Sequence, residues 1–188
     1  PEAVMHHLNS QEATAPMPTD AAFARNEVHI IASAAVSLRA AADEARRQGV
    51  DAVVLSDSIE GEAREVAKVH AAIARETSLN GSPFSKPVVI LSGGETTVTL
   101  QGKGKGGRNS EFILSFAKSI SGYDGIYALA ADTDGVDGSE DNAGAFADCG
   151  SADRMRDKGV DPQDYLRTND AWTAFDAIGD LFHTGPTG

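Results

Sequence analysis

Three short apolar runs, "DAVVLSD" (51–57), "PVVIL" (87–91) and "GIYALAA" (125–131), constrain the fold more than any other feature of the chain. Each is too short for a helix and lacks the alternation of a half-wet strand, which is the pattern of strands covered on both faces. Helical spacing fills the intervals. After "VHIIAS" a segment rich in alanine, leucine and arginine starts at a capping Ser33 and stops at Gly49. Asp57 and Glu60 stand in capping-box spacing ahead of "EGEAREVAKVHAAIARE". There Ile59, Ala63, Val66, Ala67, His70 and Ile73 form one stripe, and Glu60 is placed to pair with Arg64. Phe112, Phe116 and Ile120 mark a further helix. Strands alternating with helices predict an α/β fold, a layered sheet of mostly parallel strands with helices on both faces. One antiparallel hairpin is expected where "PVVIL" turns at Ser92-Gly93-Gly94-Glu95 into the alternating "TTVTLQ". Beyond it, short helices are expected at Ala143–Ala147, around Tyr165 and Leu166, and at Ala171–Ile178, the last capped by Asn169-Asp170 and carrying the core residues Trp172, Phe175 and Ile178.

Within 188 residues, residues 1–26, with "ATAPMPTD", read as a leader or linker and 27–188 as one α/β domain. A net charge of −12 argues against a nucleic-acid scaffold, so an anionic ligand must be met by a local basic cluster. One cysteine, Cys149, excludes a disulfide framework and a thiolate metal site. No apolar run reaches about 18 residues, so no membrane partner is expected and the cytoplasm is the expected compartment. A chain that opens on Pro1 and closes on "HTGPTG" reads as a fragment of a longer protein.

Chemistry concentrates in two loops. "LQGKGKGGRNSE" (100–111) has Walker A spacing between Gly102 and Gly107, but Arg108-Asn109 stands where Lys and Ser or Thr belong, so a P-loop is rejected. Gly102, Gly104 and Gly107 satisfy G-x-G-x-x-G, with Asp132 at the distance of a ribose-binding acid, yet the preceding strand is amphipathic where a buried parallel one is required. Two readings stay open: an anion cradle of backbone amides, a helix N-terminus and Arg108, or a flexible connector with solvated Lys103 and Lys105. The second loop places Asp132, Asp134, Asp137, Glu140 and Asp141 directly after a strand. It fails the EF-hand pattern at Val136, leaving a magnesium ion escorted by nucleotide, or a turn rich in acids. Glu95 is a base or a turn acid, and a lone His183 has a structural reading as its alternative.

The motifs "SGGETT", "GKGGRNSE", "DTDGVDGSEDNAGA", "TNDAW" and "GDLFHTGPTG", in this order, resemble the C-terminal part of the glycerate 2-kinase family, which includes the MOFRL module and has members labelled hydroxypyruvate reductase of tartrate utilisation. "LSDSIEGEAREVAKVHAAIARE" is similar to the segment just upstream, so the likeness spans roughly Val28 to Gly188, with the MOFRL module at about 87–188. The resemblance implies an absent N-terminal domain, a last short strand beyond Gly188, and transfer of the γ-phosphoryl group of ATP to D-glycerate with Mg²⁺ in an interdomain cleft. It implies that Arg108 is catalytic and Glu95 faces the same cleft, while the catalytic lysine belongs to the absent domain. Gly93, Gly94, Gly106, Gly107, Asn109 and Asn169 are the implied substrate or nucleotide contacts, and Asp134 and Asp137 the implied metal acids. Ser110 where glutamine is common, and Asp132 where glycine is common, depart from the family pattern.

A phosphotransferase whose fragment is inactive alone is therefore the leading expectation. An NAD(P)-dependent hydroxypyruvate reductase and a non-catalytic anion-binding module are the alternatives. The expected partners are D-glycerate and the missing domain, with a homodimer left open.

Overall fold

The computed structural model describes residues 1–10, 13–27, 29 and 33–187. It forms two compact units, Pro1–Ser33 and Ala34–Gly188. The first holds a short helix, α1 (Glu2–Leu8), and a 3-10 turn at Ala21–Phe23, neither with a buried residue. The apolar run "VHIIAS" lies largely outside the described residues.

In the second unit, α2 (Ala34–Arg47) leads through Gly49, at φ 84°, into β1 (Asp51–Val54). β1 pairs in parallel with β3 (Val88–Leu91), and β2 (Ile59–Glu62) pairs in parallel with β4 (Gly94–Thr97). Three backbone bonds bridge the two pairs: Leu55 N–H to Leu91 O, Ile59 N–H to Gly93 O and Gly93 N–H to Ser56 O. The two pairs thus form one parallel ribbon with a register break, where residues 55–58 on one side face 92–93 on the other.

This arrangement corrects the expected hairpin, because β3 and β4 follow one another along the ribbon instead of folding back. Gly94, at φ 151°, serves close approach: a Cβ there would lie 2.1 Å from Ile59 O. The same pairing corrects the next helix start. Ile59–Glu62 is drawn into β2, so α3 spans Ala63–Asn80, its N-cap Glu62 makes no side-chain capping bond, and the Asp57/Glu60 capping box does not form. Arg64 lies against Glu62 and Glu111, not Glu60.

α4 (Arg108–Ile120) is the centre of the unit. Ile113, Leu114, Ala117 and Ile120 are fully buried on it, packing with Ala67 and Ala71 of α3 in one core cluster. A three-stranded antiparallel sheet of β5 (Tyr127–Ala131), β6 (Gly144–Asp148) and β7 (Leu181–Phe182) covers another side. β6 corrects the helix expected at Ala143–Ala147. Ala145 and Ala147 point into the core, where small side chains let α4 approach, and Phe146 points out, a period of two that the pairing with β5 imposes. The outward face carries Tyr127 at 82 % exposure with Leu129, Phe146 and Phe182. Three short helices close the domain: α5 (Ser151–Asp157), α6 (Pro162–Arg167) and α7 (Ala171–Asp176). Phe175 of α7 is fully buried in the core, while Trp172 and Ile178 are only partly buried.

Candidate functional site

The glycine loop is strapped down along its length. The carboxylate of Glu62 accepts Thr99 N–H and its hydroxyl, and Asn169 Oδ1 accepts the amides of Gln101 (2.6 Å) and Gly102 (3.0 Å). Gly104 N–H bonds to Thr168 O, Lys105 N–H to Asp170 Oδ1, and Trp172 N–H to Lys105 O. The glycines are steric necessities here: a Cβ on Gly102 would sit 2.1 Å from Thr168 O, and one on Gly104 would sit 2.4 Å from Asp170 Cβ. Side chains thus serve the backbone of residues 99–105, which explains why "TTVTLQ" stops being a strand at Thr97. Lys105 pairs with Glu140 and lies over the Trp172 ring, while its side chain stays 54 % exposed. The loop backbone is thus tied to its surroundings, while Lys103 and Lys105 stay exposed, as the connector reading expected of them.

Asn169 and Asp170 also depart from the expected cap. Asp170 occupies the N-cap position of α7, but its carboxylate accepts Lys105 N–H and the Thr173 hydroxyl, and no capping bond forms. Asn169 adopts φ 55°, a conformation asparagine tolerates better than most residues, and from there reaches the loop.

Asp137 fixes the start of α4. Fully buried, its Oδ1 accepts Asn109 N–H (2.9 Å) and Nδ2 (3.1 Å), and its Oδ2 accepts Ser110 N–H (2.7 Å) and Oγ–H (2.6 Å). The positive helix end is thereby met by a carboxylate from within the chain. Asn142 Nδ2 donates onward to Ser110 Oγ. Asn109, expected as a ligand contact, donates to Asp137 from its backbone N–H and from its side-chain Nδ2. The amides of Gly106, Gly107 and Arg108 make no hydrogen bond among the described residues.

Arg108 lies between two acids. Its Nη1 donates to Glu95 Oε1 (2.6 Å) and its Nη2 to Asp132 Oδ2 (2.7 Å). The bond to Glu95, supported by Asp132 and opposed by burial, raises its pKa further. The two partners differ: the Glu95 side chain is 79 % exposed and that of Asp132 only 15 %. The structure therefore brings Arg108 and Glu95, both implied by the resemblance, into contact and adds Asp132.

The guanidinium borders a cleft of about 360 Å³ whose lining includes Leu100, Gly106, Gly107, Glu111, Asp132 and Asn169. Glu111, almost wholly buried on its floor, escapes sequence reasoning, whose only hint is its i+3 spacing from Arg108. Burial raises its pKa, against the attraction of Arg64 and a bond from Asn169. Arg64 Nη2 touches Glu111 Oε1 and its Nε lies 3.7 Å from Glu62 Oε1, so a cation faces the buried carboxylate.

The remaining expected residues are dispersed. Gly94 is needed for packing against the Ile59 backbone, and a Cβ on Gly93 would crowd Leu38 Cδ1 at 3.1 Å. Asp134 is exposed and its Oδ1 accepts Val136 N–H. Among the described residues no three His, Cys, Asp or Glu side chains are grouped to hold a metal. No described helix is long and apolar enough to cross a membrane.

The sequence model of the MOFRL family matches residues 88–188, more than half of the chain. The chain belongs to the MOFRL family. This MOFRL chain is 50 % identical over 163 residues to a putative hydroxypyruvate reductase of Agrobacterium vitis, covering 86 % of the chain and 37 % of that protein. It is 41 % identical over 160 residues to the glycerate 2-kinase of Pyrococcus horikoshii, covering 85 % and 36 %. The crystal structure of a glycerate kinase from Thermotoga maritima superposes with a TM-score of 0.83 at 38 % identity, over 86 % of this chain and 39 % of that one. The chain thus spans about two fifths of the length of these relatives.

Proposed function

We propose that this MOFRL chain is the C-terminal domain of an ATP-dependent glycerate 2-kinase, cytoplasmic, that transfers the γ-phosphoryl group to D-glycerate in a cleft shared with another domain. The observation that carries the reading is Arg108, held by two acids of unequal exposure on a loop strapped in place. The names of the Pyrococcus and Thermotoga relatives support it. An incoming phosphoryl group or carboxylate displaces the exposed Glu95 from Nη1, while the sheltered Asp132 keeps Nη2 oriented. The unbonded amides of Gly106, Gly107 and Arg108 are the further donors for that anion. Glu95, once released, stands beside the same anion as an acceptor for a substrate hydroxyl proton.

A nucleotide phosphate fits these donors; a magnesium ion fits the acids poorly. Both oxygens of Asp137 are consumed by α4, Asp132 is paired with Arg108, and Asp134 lies apart from a third acid. The described acids of this chain therefore offer a metal no grouped ligand set, and we expect no ADP release from the 188-residue chain alone.

The test uses the full-length protein supplied separately with D-glycerate and ATP, and with hydroxypyruvate and NADH. We expect ADP release, and a fall in kcat/KM of roughly 10³-fold or more in Arg108→Ala, by comparison with other arginines in phosphoryl transfer. NADH oxidation without ADP release would replace the kinase with the reductase suggested by the Agrobacterium relative. Wild-type turnover in Arg108→Ala would leave the anion-binding module.

A further inference from the structure

A second reactive arrangement sits one turn along α4 from Arg108. His70 of α3 places Nδ1 2.9 Å from Val66 O and Nε2 3.1 Å from Ser92 Oγ. A carbonyl oxygen only accepts, so Nδ1 carries the ring hydrogen, and in the neutral ring Nε2 is a bare lone pair toward which the Ser92 hydroxyl must donate. The ring plane is fixed by an edge contact with Phe112, 5.3 Å between centroids. Phe112 follows Arg108 by four residues and so lies on the same face of α4. Ser92 is exposed and follows the carboxyl end of parallel strand β3, where ligands gather in open α/β sheets.

Other nucleophiles are worse placed. Ser56 and Ser58 bond to each other at 3.2 Å, Ser110 is buried and spent on Asp137, and the Cys149 thiol donates to Asp124, which raises its pKa. Ser92 has what a nucleophile requires: a base within hydrogen-bond reach that is itself oriented by a third group.

We propose that Ser92 and His70 form a nucleophilic pair whose target is a tetrahedral phosphorus electrophile. In the step, a bond forms from Ser92 Oγ to phosphorus and the bond from phosphorus to its leaving group breaks. The hydroxyl proton passes to His70 Nε2, and the resulting imidazolium stays held through Nδ1–H on Val66 O. The pairing of Ser92 with His70 rests on this geometry alone, and the choice of phosphorus as its target rests on the proposed phosphoryl-transfer reading.

The 188-residue chain is incubated with diisopropyl fluorophosphate, in which fluoride leaves, and adducts are located by peptide mass spectrometry. We expect one fast adduct on Ser92, forming at least about tenfold faster than on Ser56 or Ser58, as a positioned base contributes roughly 10² or more. His70→Gln should slow it at least about tenfold, and added imidazole should restore the rate in His70→Ala. Labelling at Ser92 no faster than at Ser58, or unchanged in a folded His70→Gln, overturns the proposal. If both His70 variants unfold by circular dichroism, the ratio of Ser92 to Ser58 labelling in the unaltered chain decides alone.

Discussion

Replacing Asp137 with asparagine separates two meanings of the acidic loop, an ion site and a helix anchor. The carboxylate accepts four hydrogen bonds, two on each oxygen, and is fully buried. An asparagine keeps one accepting oxygen and turns an NH₂ group toward two donors. Two bonds to a charged group are lost, at about 1.5–3 kcal/mol each, together with roughly 1 kcal/mol from the charge at the N-terminus of α4. Relief from burying a charge returns part of this, leaving a net loss of about 3–5 kcal/mol. Urea unfolding followed by circular dichroism should show that loss as a lower midpoint with an unchanged slope, and thermal melts should fall by about 10 °C. Adding about 10 mM Mg²⁺ should stabilise neither protein. A loss below about 1 kcal/mol would refute the anchor. So would Mg²⁺ stabilisation of the unaltered chain that disappears in Asp137→Asn, which would return the residue to the role of metal ligand.

Two further outcomes follow from the same region. In Gly107→Ala the new Cβ would meet Asp137 Oδ1 at 2.5 Å and its carbonyl carbon at 2.6 Å, so urea unfolding should show a loss of about 2 kcal/mol or more, against about 1 for Gly49→Ala, where only positive φ opposes the side chain. Because burial raises the pKa of Glu111 above its ordinary 4.5, the folded chain holds that proton more tightly than the unfolded one; its contribution to stability should decline as pH rises from about 4.5 through the raised value, a slope that urea midpoints should show missing in Glu111→Gln.

Local signals made parts of this molecule legible in its sequence. The spacing of Phe112, Phe116 and Ile120 identifies α4 because a helix is a local structure. The resemblance directs attention to Arg108 and Glu95 separately, and the fold brings the two side chains to 2.6 Å. What escaped was non-local. Ala143–Ala147 has the composition of a helix and becomes β6 because strands on both sides claim its backbone. Ser92-Gly93-Gly94 announces unusual backbone geometry, but the reason for Gly94 is Ile59, in a strand that precedes it by a whole helix. Asp137 looks like one acid among five, and nothing in its neighbours shows that Asn109 and Ser110 will surround it. Glu111 reads as an ordinary surface glutamate until Arg64 and Asn169 close over it.

The straps on residues 99–105 also bear on how a ligand would be felt. A loop that becomes ordered only around its ligand loses conformational freedom at the moment of binding, and affinity is reduced accordingly. Here the bonds from Glu62, Asn169, Thr168 and Asp170 remove that freedom during folding. Order in residues 99–105, just ahead of Arg108, is therefore a property of the resting molecule, and an anion arriving at the cleft meets a loop that is already folded.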